Sequence, residues 1–146
     1  MNTNRNTAVF GLVAVALVAV ALSPVVANAQ AVEGKFTLPC TTYWNGAVLP
    51  AGEYTFTTSP VSKANHEVEM LRVRGAKNLD TVAIARPSDR AGNGLIIERS
   101  GSVAVARTMY LADSGQTLQF QPSKAGRELL AQARTETVKV AIAAAE

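Results

Sequence analysis

The sequence is poor in the residues that carry out chemistry. Its 146 residues include one cysteine, Cys40, and one histidine, His66. A lone cysteine excludes an intramolecular disulfide, so the fold has to be held by its core. In an oxidising compartment such a thiol is either buried and inert or joined to another chain. Free cysteine is among the most buried residue types, so burial is expected for Cys40. One histidine and one cysteine cannot supply the three or four nitrogen and sulfur ligands of a zinc site. A Ser-His-acid triad would have to use His66, which sits in a polar stretch beside Glu67 and reads as an ordinary histidine where a loop meets a strand. There is no phosphate-cradling glycine loop and no dinucleotide fingerprint; "AGNG", Ala91 to Gly94, reads as a flexible loop. No cofactor and no metal are expected.

Clustered charge is missing as well. The formal net charge is +3, and the basic residues are scattered, with no tighter grouping than Arg72-Val73-Arg74. Nucleic-acid binding wants a basic patch, and none is expected here. Low-complexity linkers and solenoid-length repeats are absent. Carboxylates offer one pattern: Glu67 and Glu69 would share a strand face about 7 Å apart at ~3.3 Å per residue, a spacing compatible with a glycosidase pair. Two acids on the solvent face of a strand are the more ordinary arrangement. Asp80, Asp89, Glu98 and Asp113 fall at turns or strand ends, where short acids help form turns. No catalytic residue is assigned, and the chain is not expected to be an enzyme.

Aromatic residues make up only 5% of the chain, and two are adjacent. Tyr43 and Trp44 in a strand would point to opposite faces. One belongs in the core, and the other is free to present a flat platform of the kind sugars stack on. They are the candidate binding residues.

What is present begins with the leader. Arg5 is the only charge before Glu33, an apolar run extends from Ala8 to Leu22, Ser23-Pro24 breaks it, and "ANA" (Ala27 to Ala29) follows. Charged start, apolar middle and small-x-small end are the layout of a secretory signal peptide over residues 1–29, cleaved between Ala29 and Gln30. The run is shorter than the about 20 residues a spanning helix needs, and no basic stop-transfer cluster follows. No membrane span is expected after cleavage. The protein is therefore expected in the periplasm, on the cell surface or outside the cell.

The rest reads as one all-β domain over residues 30–122, a small antiparallel β-sandwich or barrel, followed over residues 123–146 by a short C-terminal helix and a final strand. Short apolar segments alternate with Gly, Pro, Asn, Asp and Ser. Val32 to Leu38 is a strand with Phe36 and Leu38 inward. Thr41 to Trp44 and Ala47 to Leu49 flank Asn45-Gly46, a two-residue hairpin signal. "LPAG", Leu49 to Gly52, is a turn with proline pre-set at its second position, and it leads into Glu53 to Thr57 with Tyr54 and Phe56 inward. It lacks the threonine and the following apolar tail of a sortase signal. Ser59 to Asn65 reads as a polar loop. Glu67 to Arg74 has Val68 and Met70 on one face but Leu71 and Val73 on the other, which predicts a bulge near Met70-Leu71. Leu79 to Arg86 is a strand with Val82 and Ile84 inward. Later hairpins turn at Ser100-Gly101 and Ser114-Gly115. Between them Val103, Val105, Met109 and Leu111 share one face, with Arg107 on that face, at an edge or paired with an acid. Ser123 caps a helix carrying Leu129, Leu130 and Ala133, and Val138, Val140 and Ile142 alternate as a returning strand.

The residues "GKFTLP" (Gly34 to Pro39), Trp44, "LPAGEYTF" (Leu49 to Phe56) and "VAVARTMYLADSGQTLQF" (Val103 to Phe120) resemble a group of short exported bacterial proteins of acidobacterial type, with the pattern G-x-F-x-L-P, a tryptophan, then LPAG-[DE]-Y-T-F. The resemblance implies a β-rich exported fold and brings no activity with it. The expected role is a non-catalytic structural or protein-interaction domain with an unknown protein or glycan partner. A carbohydrate- or small-ligand-binding module is the alternative, and a hydrolase comes third.

Overall fold

A computed structural model describes residues 31–62, 65–132 and 134–144. They form ten strands: β1 Val32–Leu38, β2 Thr41–Trp44, β3 Ala47–Leu49, β4 Gly52–Ser62, β5 Asn65–Gly75, β6 Leu79–Pro87, β7 Gly94–Ser100, β8 Val103–Leu111, β9 Gln116–Gln119 and β10 Glu136–Ala144. One α-helix, α1, spans Lys124–Gln132, and a single 3₁₀ turn covers Ala112–Ser114. The sheet order is β3-β2-β8-β7-β10-β1-β4-β5-β6-β9, and β9 pairs back onto β8. Eight strands therefore close into an antiparallel β-barrel, with the β2–β3 hairpin attached to it. Closure removes the exposed edges an open sheet would leave. Of the two architectures expected from the sequence, the molecule is the barrel.

The hairpin explains how the barrel closes. β8 uses one edge twice: Thr108 to Leu111 pair with β9, and Val103 to Val105 pair with β2, in parallel. The hairpin thus continues the wall where β9 stops. Its tip is the Asn45-Gly46 turn, both residues at positive φ (46° and 89°), as a tight two-residue hairpin requires. Asn45 Nδ2 donates to Thr81 Oγ1 of β6, tying the tip across the opening. Trp44 and Leu49 are fully buried by this placement. Trp44 meets Phe36 at 5.8 Å and Phe120 edge-on at 5.0 Å, and Phe36 also contacts Tyr54 and Phe56. "LPAG" is the corner that carries the chain from the hairpin into β4. Tyr54 locks it by donating its hydroxyl to the Pro50 carbonyl at 2.8 Å.

β1, β2 and β3 have the bounds read from the sequence, Phe36 and Leu38 face inward, and Cys40 is buried. Ser123 caps α1, its hydroxyl accepting from the Gly126 amide at 3.2 Å, and 136–144 is a strand. Other expectations are corrected. Ser59 to Ser62 and Asn65 are strand, not loop. Proline is tolerated there because Pro60 lies past the last β1 partner, Thr58, and beside a register shift between Pro60 and Ser62. No bulge occurs at Met70-Leu71, since β5 stays in register with β6 from Val68 to Val73. Glu69 is therefore on the inner face, 4% exposed, and Val68 and Met70 are on the outer one. The expectation that Glu67 and Glu69 share the solvent face fails for Glu69. β6 is inverted for the same reason: Leu79, Thr81, Ala83 and Ala85 are buried, while Val82 and Ile84 are exposed. In β8 the shift between Ile96 and Ile97 leaves Arg107 without a β7 partner. The phase flips there, so Ala104, Ala106, Met109 and Leu111 face the core, and Val105 faces out, buried beside Gly126 of α1. Arg107 pairs with Glu98 at 3.5 Å.

Candidate functional site

The barrel wall has one weak seam. β10 pairs with β7 from Glu136 to Ala141, but with β1 only from Ile142 to Ala144. Thr37 and Leu38 of β1 pair with β4 alone. From Ile142 back towards Glu136 the two strands part, and no described strand follows β10 on its β1 side. A groove of about 1010 Å³ occupies this seam.

The groove is built from strand alternation. Phe36, Tyr54, Val138, Val140 and Ile142 supply an apolar floor from their inner faces. Lys35, Thr37, Thr55, Lys139, Arg74 and Glu53 supply the polar rim. Tyr54 is held by its bond to Pro50 and by close packing on Gly75, where an added Cβ would lie 2.5 Å from Tyr54 Cδ1 and 2.6 Å from the Glu53 carbonyl. Burial pushes the Tyr54 phenol up from its ordinary value. Arg74 is committed to the β5–β6 turn: it pairs with Asp80 at 2.5 Å and also donates to the Leu79 carbonyl. Its hydrogen bond holds the Asp80 carboxyl below the usual carboxylate range. Lys35 and Lys139 form no ion pair among the described residues. Lys139 lays its aliphatic stem across Gly94 of β7. The groove thus has an apolar floor, a rim of net positive charge and a length of strand edge with no partner.

The sequence-derived candidates lie elsewhere. Trp44 is 0% exposed, so it offers no platform to a sugar and is corrected to a core residue. Its indole N–H finds no acceptor among the described residues. Tyr43 is half-buried on the opposite side of β2, between Val48 and Val105. Neither lines the groove. Glu67 is exposed and Glu69 buried on β5, and neither lines the groove. His66 lies in β5, and its side chain is outside the described ones. Ala29 and Gln30, the expected cleavage site, are also outside the described residues. Among the described residues no cluster of three His, Cys, Asp or Glu could hold a metal, and no helix is long and apolar enough to cross a membrane. A second surface feature is an apolar stripe on the outer wall, where Val68 opposes Ile84 and Met70 opposes Val82, with Val61 exposed on β4.

Sequence reading missed the groove because an unpaired edge belongs to the pairing register and not to any one strand. The one signal available was the alternation of Val138, Val140 and Ile142 around Lys139, which marks a strand but not its neighbours. Comparison with protein-family models, curated proteins and solved structures finds no match for this chain.

Proposed function

We propose that the chain is an exported, non-catalytic interaction domain. The observation that carries the reading is the unpaired β10 edge from Glu136 to Ala141, set in an open groove. Natural barrels close or guard such edges, and one left beside an apolar floor is a recognised docking feature. The outer stripe at Val82 and Ile84 adds apolar surface of the kind found at contacts. Export rests on the leader sequence, with the periplasm, cell surface or medium as destination, and the likeness to short exported bacterial proteins agrees with it. The non-catalytic part is supported by the groove's polar groups: lysines, threonines, a paired arginine, Glu53 and a phenol already bonded to Pro50. They supply no nucleophile with an adjacent base.

The experiment is a capture with the immobilised protein from native envelope and medium, with proteins and glycans identified by mass spectrometry. A reproducible protein partner supports the reading, and its competition by soluble protein shows specificity. Capture of glycan alone replaces it with the carbohydrate-binding alternative. That alternative keeps one favourable feature, a groove large enough for a small ligand.

A further inference from the structure

We infer that the free edge of β10 is a strand-addition site for an extended peptide segment bearing acidic side chains. The inference deepens the interaction reading and rests on it. Along an antiparallel strand, alternate residues turn their N–H and C=O groups to opposite sides. From Glu136 to Ala141 one set bonds β7. The other set points into the seam, where no described strand meets it. Backbone groups at a wet edge are served by water, and a peptide strand can replace that water with a ladder of its own. The open stretch is about 20 Å long at ~3.3 Å per residue, the length of an ordinary strand.

The side chains fix the chemistry of the occupant. A strand laid beside β10 would turn alternate residues towards Val138, Val140, Ile142, Phe36 and Tyr54, which favours apolar residues at those positions. Its other residues would face the rim. There Lys35 carries charge with no ion-pair partner among the described residues, Lys139 adds a second charge although its stem crosses Gly94 on the β7 side, Arg74 is already matched by Asp80, and Glu53 is the one acid. Acidic residues at alternate positions complete that pattern. The same lysines argue against a second copy of this chain as occupant, because two β10 edges side by side would bring Lys139 near its own copy.

The test uses the full chain and synthetic capped peptides. The probe is an alternating Glu-Val hexamer. Its controls are the same hexamer N-methylated at alternate amides, a Lys-Val hexamer, and dodecanoate as a small anionic amphiphile. Binding is read by amide NMR shifts and by hydrogen exchange over 136–141. The expected result is saturable binding of the Glu-Val peptide, slowed exchange in alternate β10 amides, and at least about tenfold weaker binding of the N-methylated peptide, which cannot complete the ladder. Lys35→Glu with Lys139→Glu is expected to weaken the Glu-Val peptide at least about tenfold and to reverse the preference towards Lys-Val. An unchanged urea midpoint shows that this double variant is folded. Equal binding of the N-methylated peptide, unmoved β10 amides, or tighter binding of dodecanoate overturns the inference. A captured partner that binds the double variant undiminished also overturns it and leaves the interaction reading standing. Failure of the capture with positive peptide binding sinks that reading instead.

Discussion

Replacing Trp44 with alanine separates two views of this residue. As an exposed platform it would be dispensable to the fold, since surface substitutions change stability by about 0.5 kcal/mol or less. As a core plug it would not. Trp44 is fully buried and touches Phe36 and Phe120. Truncating a core tryptophan costs about 3–5 kcal/mol, a figure that already contains its aromatic contacts. One effect opposes this loss: the indole N–H has no acceptor among the described residues, and deleting an unsatisfied buried donor returns about 1–3 kcal/mol. The expected net loss is about 2 kcal/mol, against a total stability of about 5–15 kcal/mol for a domain. With a urea dependence of about 1–3 kcal/mol per molar, the midpoint should fall by about 0.7–2 M. Far-ultraviolet circular dichroism is the right probe, because Trp44 is the only tryptophan and its fluorescence leaves with it. Trp44→Phe keeps an aromatic ring against both neighbours and removes the N–H, so it should lose less than half as much. A midpoint shift under about 0.5 M for the alanine variant would refute the plugged barrel.

Four further outcomes follow from the same geometry. Gly75→Ala should destabilise the barrel by about 1–3 kcal/mol, because its Cβ would overlap the Tyr54 ring and the Glu53 carbonyl; an unchanged melting temperature contradicts that packing. Tyr54 holds its proton in the folded state more tightly than in the unfolded one, so stability should fall as pH rises from about 10 towards the folded value, and Tyr54→Phe should lack this alkaline loss in urea titrations across pH. Asp80 has a depressed folded pKa, so its contribution is present above about pH 4 and fades as pH falls through the folded value; the gap between wild type and Asp80→Asn should close on acidification, and a widening gap speaks against the Arg74 pair. The Cys40 thiol is buried, so a thiol reagent should label it on unfolding and not before, and a disulfide-linked dimer on a non-reducing gel would place it at the surface.

The legible parts of the fold are those set by local chemistry. Asn45-Gly46 can adopt positive φ, and "LPAG" can turn a corner, whatever the rest of the chain does. The face assignments of β1 and β4 also follow from clean alternation. β5, β6 and β8 defeated the same reasoning. In β5 and β6 the apolar residues Val68, Met70, Val82 and Ile84 look like core, yet they lie on the outer wall. The interior positions opposite them are filled by Glu69, Thr81, Ala83 and Ala85. A barrel interior already occupied by five aromatic rings has little room left, so small residues face in and branched ones face out. Volume is shared by the whole barrel, and no single strand records it. Val82→Lys checks this inversion: it should shift stability by about 0.5 kcal/mol or less, whereas Ala83→Lys should be severely destabilising.

The groove was illegible for a related reason. Every residue on its rim and floor reads as ordinary strand, and the floor residues Val138 and Ile142 are only partly covered. What makes the site is a change of partner within one strand. β10 belongs to β7 for its first part and reaches β1 only at Ile142. β1 runs on beside β4 through Thr37 and Leu38 without pairing with β10, and past them Pro39, lacking the amide a ladder needs, turns the chain towards the hairpin plug. The plug and the seam are thus one event: the chain that leaves β1 to stopper the barrel with Trp44 is the chain that leaves β10 without a neighbour. Any change that lets β1 run further, Pro39→Val being the simplest, should place added β1 residues opposite Lys139 and the residues before it, in the register set by Phe36 and Ile142. Such a variant should slow amide exchange across 136–141 without any peptide, and it should weaken the peptide binding that the wild-type edge supports. Faster exchange and intact binding in Pro39→Val would show that the seam has another cause.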